Sequence, residues 1–129
     1  MTISPAKLHH VSRQTRKLEE TRKFYVDVLG FREIARPPFN FAGAWLYSAG
    51  IQIHLIEADF PQQDMALNPR ENHIAFAVED MTAAEEALKE HGVPYRHNVV
   101  PERGTNQIFF KDPDGWMIEI GADYWAIDQ

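Results

Sequence analysis

Gly115-Trp116-Met117-Ile118-Glu119-Ile120 decides the fold of this 129-residue chain, because it repeats the form of Gly50-Ile51-Gln52-Ile53-His54-Leu55 in the other half. Each stretch is a turn glycine followed by a short apolar strand with one polar residue near its centre. The repetition extends outward. His73, in Asn72-His73-Ile74-Ala75-Phe76, stands at nearly the same spacing from His10, in Leu8-His9-His10-Val11. Gly92 follows a helical segment as Gly30 follows an earlier one, again at nearly that spacing. Self-similarity at a near-constant offset marks a duplicated unit. The duplication puts His10, His54, His73 and Glu119 in matching places, the pattern expected of one metal on a pseudo-two-fold axis.

Periodicity and turn residues divide each half in the same way. Residues 7–14 read as a strand and 17–29 as a helix, with Leu18, Tyr25, Val28 and Leu29 near one face and Gly30 as its stop. Residues 31–36 read as a short strand that Pro37-Pro38 ends, and 44–48 and Ile51–Glu57 as a hairpin through Ala49-Gly50. In the second half, 72–78 is a strand and 81–91 a helix, capped either by Asp80 or by a Thr82/Glu85 box. Strands at 94–98, 106–111 and 116–121 complete it, the last two joined by the turn Asp112-Pro113-Asp114-Gly115. The expected organisation is a single domain over 1–129. Its first module covers about 7–57, a linker 58–71, the second module about 72–121, and a short tail 122–129. The linker is long enough to have a role of its own, such as covering a site. The fold class is α+β: tandem βαβββ modules forming curled mixed sheets around a metal-binding cleft. Strand alternation puts His10, Ser12 and Gln14 on one face, with Gln52, His54 and Ile56 sharing a face in the hairpin strand. The same rule groups His73, Ala75 and Ala77, and Met117, Glu119 and Gly121. If those faces line the cleft, each half supplies two of the four candidate ligands.

Bulk properties narrow the function classes. The net charge of −6 argues against a nucleic-acid partner, which needs a basic face. No cysteine is present, which removes disulfides, thiolate ligands and a cysteine nucleophile. No apolar run approaches membrane-spanning length and residues 1–7 have no signal-peptide core, so no membrane partner and a cytoplasmic location are expected.

The ordered set of His10-Val11, Phe24-Tyr25-Val26-Asp27-Val28-Leu29-Gly30-Phe31, Asn72-His73-Ile74-Ala75-Phe76 and Phe110-Lys111-Asp112-Pro113-Asp114-Gly115 with Ile118-Glu119 resembles the vicinal oxygen chelate superfamily. That superfamily includes glyoxalase I, fosfomycin- and bleomycin-resistance proteins, an epimerase and extradiol dioxygenases. The resemblance runs from Leu8 to Gly121 and is strongest to small single-domain lactoylglutathione-lyase-like proteins. It implies that His10, His73 and Glu119 are ligands of a divalent metal and that His54 takes the fourth ligand position, where glyoxalase I normally has glutamate. It also implies a homodimer, with the site formed either within one chain or across the pair, and a thiol cofactor such as glutathione. Two departures stand out. One of the two metal-bound glutamates that serve glyoxalase I as bases is replaced by His54. The position of its carboxylate-binding arginine, four residues past the first ligand, is Gln14, while Arg13 alternates to the other face.

Three imidazoles and one carboxylate suit Zn, Ni, Mn, Co or Fe as the divalent ion and disfavour Ca²⁺ and Mg²⁺. A small-molecule substrate is expected. The leading expectation is a metal-dependent lyase or isomerase acting on an α-oxygenated or thiohemiacetal substrate through a metal-stabilised enediolate. Glu119 is then the proton carrier, and His54 either a ligand or a free base. Gln14, Gln52, Arg103 and Trp45 are the substrate-contact candidates, with Gln107 alongside them. The alternatives are an Fe(II) dioxygenase using His10, His73 and Glu119, and a non-catalytic binding or resistance protein. Oxygen uptake with catechols distinguishes the dioxygenase from the lyase.

Overall fold

The computed structural model describes residues 1–100 and 105–122. Arg103 and the aromatic pair Tyr124 and Trp125 of the tail lie outside the described residues. The chain divides into two compact units, Met1–Gln62 and Gln63–Gln129.

The first unit has the order β1 (His10–Thr15), α1 (Leu18–Asp27), β2 (Arg32–Ile34), β3 (Gly43–Ser48) and β4 (Ile51–Glu57). Its sheet runs β1-β4-β3-β2. β1 is parallel to β4, whereas β3 is antiparallel to both β4 and β2. A parallel pair cannot be joined by a tight turn, so α1 and the two strands after it supply the crossover. The hairpin through Ala49-Gly50 is as short as the sequence predicts, with Ser48 opposite Ile51. One sheet face packs on α1 and holds the core: Ala44, Leu46, Ile53 and Leu55 are buried there, as is Tyr25 on the helix. Thr21, outside the apolar stripe read from the sequence, is also fully buried. Its hydroxyl lies 3.1 Å from that of Thr15, so the two satisfy each other in the core. β1 begins at His10 rather than residue 7, because 7–9 stay exposed ahead of the pairing with β4.

The second unit repeats the plan with β5 (His73–Ala77), α2 (Met81–Glu90), β6 (Tyr95–Val100), β7 (Thr105–Lys111) and β8 (Met117–Gly121). Its sheet runs β5-β8-β7-β6, again with a parallel first pair. The fold is therefore α+β, two βαβββ modules, each a four-stranded mixed sheet with one helix. Leu88, Ile108, Phe110, Ile118 and Ile120 form the second core. Of the two caps open in the sequence, the structure uses Asp80, whose carboxylate accepts the Ala83 N–H at 3.0 Å. Glu85 instead accepts a 2.7 Å hydrogen bond from the Tyr95 hydroxyl.

The expected linker 58–71 is divided between the units after Gln62. Its second part lies along the second unit as a strap. The Gln63 N–H donates to the Asp114 carbonyl at 3.2 Å, the Lys111 ammonium to the Asp64 carbonyl, and the Arg96 guanidinium to the Leu67 carbonyl at 3.3 Å. The turn beneath the strap is fixed by the buried Asp112 carboxylate, which accepts the N–H groups of Asp114 and Trp116 at 2.9 and 3.0 Å. Gly115 closes this turn at φ +93°, and a Cβ there would lie 2.7 Å from the Gln63 Cβ and 2.8 Å from its carbonyl oxygen. Gly115→Ala is expected to destabilise the chain by about 1–3 kcal/mol through strain and displacement of the strap. Gly30→Ala, with φ +77° and open space around it, should cost only about 1–2 kcal/mol. Urea denaturation of both variants checks the ordering.

Candidate functional site

The register bears out the shared strand faces. His10 lies opposite Gln52, Ser12 opposite His54, and Gln14 opposite Ile56, while Trp45 lies opposite His54 on the other side. Because Ala44, Leu46, Ile53 and Leu55 take the helix-packed face, these residues all fall on the opposite one. Arg13 is opposite Leu55 and so belongs to the helix side, as alternation predicts.

On that face His54 is stacked between two rings. The His10 ring is parallel at 4.1 Å and the Trp45 indole at 4.2 Å, with interplanar angles of 12° and 6°. His54 Nε2 is 2.8 Å from Gln52 Oε1, and His9 Nδ1 is 2.9 Å from His10 Nδ1. Burial, and then the nearby His10 and His9, hold the His54 pKa below the ordinary imidazole value. Its neutral ring therefore keeps a lone pair available as a ligand or base. Trp45 gives one ring face to His54, Gln52 is engaged with His54, and Gln14 is exposed on the same sheet face. Phe39 and Phe41 are not buried pocket walls. They stack on each other at 5.2 Å, with the Arg36 guanidinium 5.0 Å from both rings, and are nearly half exposed.

In the second unit Ala75 lies opposite Glu119, and Phe109 flanks Glu119 on the other side. His73 Nε2 is 3.1 Å from Glu119 Oε1. The carboxylate is buried, and its Oε2 accepts from the Gln107 amide at 3.3 Å, whose own oxygen accepts from Asn98 at 3.2 Å. His73 Nδ1 is 2.7 Å from the Glu71 carbonyl oxygen. A carbonyl can only accept, so Nδ1 carries a proton, and in the neutral form of the ring the lone pair is left on Nε2. The Nε2 lone pair then faces a carboxylate oxygen. Two electron-rich atoms at that distance call for a cation between them, either a proton or a metal ion.

Among the described residues no three His, Asp or Glu side chains come together at metal-binding distance. The candidates occur as the His10/His54 pair in one unit and the His73/Glu119 pair in the other. His97, on the helix side of its sheet opposite Ile108, is exposed, and His91 caps the end of α2. Lys111 and Glu71 are polar partners on the second unit that the sequence reading passed over. The one signal for Lys111 is a charged residue directly after Phe109-Phe110 in a buried strand.

Residues 7–120 match the Glyoxalase/Bleomycin resistance protein/Dioxygenase superfamily, and the chain belongs to it. Glyoxylase I 4 of Arabidopsis thaliana is 47% identical over 119 residues, covering 88% of this chain and 68% of that protein. A probable lactoylglutathione lyase of Vibrio parahaemolyticus is 30% identical over 128 residues, covering 92% and 91%. The fold is also that of a putative glyoxalase family protein from Bacillus anthracis, with a TM-score of 0.76 at 23% identity over 95% of this chain and 98% of that one. No helix among the described residues is long and apolar enough to cross a membrane.

The depressed His54 pKa sets a pH dependence. Below about pH 6.5 the unfolded imidazole takes up a proton before the folded one does, so stability falls as pH drops through that value towards the lower folded one. In metal-free protein, His54→Gln is expected to flatten the fall in urea midpoint between pH 7 and 5. An unchanged slope would show that the ring is not held neutral.

Proposed function

We propose that the protein is a metal-dependent lyase or isomerase of glyoxalase I type, acting on a small α-oxygenated or thiohemiacetal substrate. We propose also that His10, His54, His73 and Glu119 hold one divalent transition metal, within one chain or shared across a homodimer, with the two units working as one domain. The observation that carries the reading is His73 Nε2 3.1 Å from the Glu119 carboxylate, a spacing that a proton or a metal ion between the two atoms satisfies. The stacked imidazoles of the first unit, in duplicated positions, support it. So do the names of the relatives from Arabidopsis and Vibrio.

The donor set, three imidazoles and one carboxylate, fits Zn, Ni, Mn, Co or Fe. Such an ion would supply Lewis acidity that makes a carbon next to a coordinated oxygen more acidic. The chain's own residues do the rest. Glu119 moves the proton, taking it from one carbon and returning it to the next, and the Gln107 amide on Oε2 orients it. Gln107, itself held by Asn98, donates to Oε2 of that carboxylate, and Oε1 faces His73. His54 serves as ligand or as second base. Trp45 stacks on His54 and fixes its plane, and Gln52 fixes its rotation. Gln14, exposed on the same face, and Arg103 are the proposed substrate contacts. Gln14 stands where glyoxalase I carries its carboxylate-binding arginine, so glutathione is one thiol to test among several.

Purified chain is expected to take up about one Zn²⁺, Ni²⁺, Mn²⁺ or Co²⁺ per site, and His73→Ala and Glu119→Ala to lose it while remaining folded. Mass spectrometry of metal content, with circular dichroism of each variant, checks this. Full metal occupancy in both variants would refute the site. Loaded protein is then assayed with methylglyoxal and a panel of thiols, with Glu119→Gln expected to lower kcat by at least about 100-fold. Stoichiometric iron with oxygen uptake on catechols would instead place the chain among dioxygenases. No metal uptake on reconstitution would leave a binding protein.

A further inference from the structure

Lys111 sits at the end of β7 on the same sheet face as Glu119, and its side chain is 1% exposed. A buried ammonium is costly unless it is paired. Here both oxygens of Glu71 receive it, at 2.9 and 3.1 Å, and the Asp64 carbonyl takes a further hydrogen bond. Glu71 lies two residues before His73, and its backbone carbonyl is the group that accepts from His73 Nδ1 at 2.7 Å. The chain Lys111–Glu71–His73–Glu119 therefore runs from a buried cation to the proposed ligands.

We infer that Lys111 is a positioning residue for His73. By clamping the side chain of Glu71 it fixes that residue's carbonyl on His73 Nδ1, which keeps the Nε2 lone pair pointed at Glu119. Without the clamp the ring has a better option. A neutral His73 protonated on Nε2 donates directly to the Glu119 carboxylate, and both groups are then satisfied without any metal. Lys111 opposes that self-pairing and keeps the two donors in a state a cation relieves. The inference rests on the metal reading only for its consequence. The tautomer itself is a property of the metal-free chain. Partners that orient a metal-bound histidine typically change affinity by about 10–100-fold when removed.

The test uses Lys111→Met, which keeps length and apolar bulk, Lys111→Arg as the rescue, and Glu71→Gln. Glu71→Gln leaves the carbonyl in place and weakens only the ionic clamp, so it keeps the test decisive if Lys111→Met fails to fold. Long-range proton–nitrogen NMR on metal-free, ¹⁵N-histidine-labelled protein at alkaline pH reads the His73 tautomer. Cobalt titration followed by absorbance reads affinity. The native chain is expected to show Nδ1–H. Lys111→Met should shift the ring toward Nε2–H and bind Co²⁺ about 10–100-fold more weakly, Glu71→Gln should shift it part of the way, and Lys111→Arg should restore both readings. An unchanged tautomer in folded Lys111→Met or Glu71→Gln overturns the inference, whatever happens to affinity. So does a native ring already protonated on Nε2. A native chain that binds no cobalt sinks the metal reading instead, and the tautomer still decides the role of Lys111.

Discussion

Each module depends on the parallel pairing of its first strand with its last. β1 lies against β4 and β5 against β8, and only a long crossover can bring such strands together. The helix in that crossover covers one sheet face and consumes it with apolar side chains. Every polar residue on the central strands is thereby forced to the other face. His54 and Glu119 are not isolated polar groups tolerated inside a core. They occupy the positions that alternation leaves open once Ile53, Leu55, Ile118 and Ile120 are committed to the helices. The parallel pairing then sets what stands beside them: Ser12 next to His54, and Ala75 next to Glu119.

The two modules fill equivalent positions with different electrostatics. The first builds an aromatic stack, Trp45 on His54 on His10, in which burial and neighbouring imidazoles hold the charge off His54. The second sets an imidazole against a carboxylate and surrounds the two with donors: Gln107 on Glu119, and Lys111 on Glu71 behind His73. One module thus presents aromatic nitrogen in an apolar setting and the other a carboxylate in a polar one. A two-fold repeat in backbone has become asymmetric in chemistry.

Much of this was legible in the sequence, for identifiable reasons. The near-constant offset between the halves, the glycine stops and the Asp112-Pro113-Asp114-Gly115 turn are signals carried by short stretches, and they located the helices and strands to within a few positions. The shared faces followed from a period of two. What could not be read depends on partners far apart in the chain. Asp80 and the Thr82/Glu85 box were equally good caps until Tyr95, from the following strand, claimed Glu85. Thr21 was not among the stripe residues read for the helix, and its partner, Thr15, belongs to a strand. Lys111 looked like an ordinary strand-end lysine because Glu71, which neutralises it, stands far earlier in what read as a linker.

Replacing a second carboxylate by His54 changes the charge of the proposed centre, and the rest of the site is consistent with that change. Two carboxylates and two imidazoles would neutralise a divalent ion, whereas one carboxylate and three neutral imidazoles leave a net charge of +1. A centre with residual positive charge is the stronger Lewis acid and draws an electron-rich oxygen more firmly. It has also lost one of two oxygen bases, so the remaining one must be held accurately. That is what surrounds Glu119: a buried carboxylate, an amide fixing one oxygen, and a histidine whose tautomer is set from behind by a buried lysine. The first module is equally suited to its share. His54 contributes no charge, and an imidazole clamped between an indole and a second imidazole has little freedom to swing away as a glutamate side chain can. In the proposed reading Glu119 transfers the proton from a fixed position, and the stacked His54 ring keeps its place whether it serves as ligand or as second base.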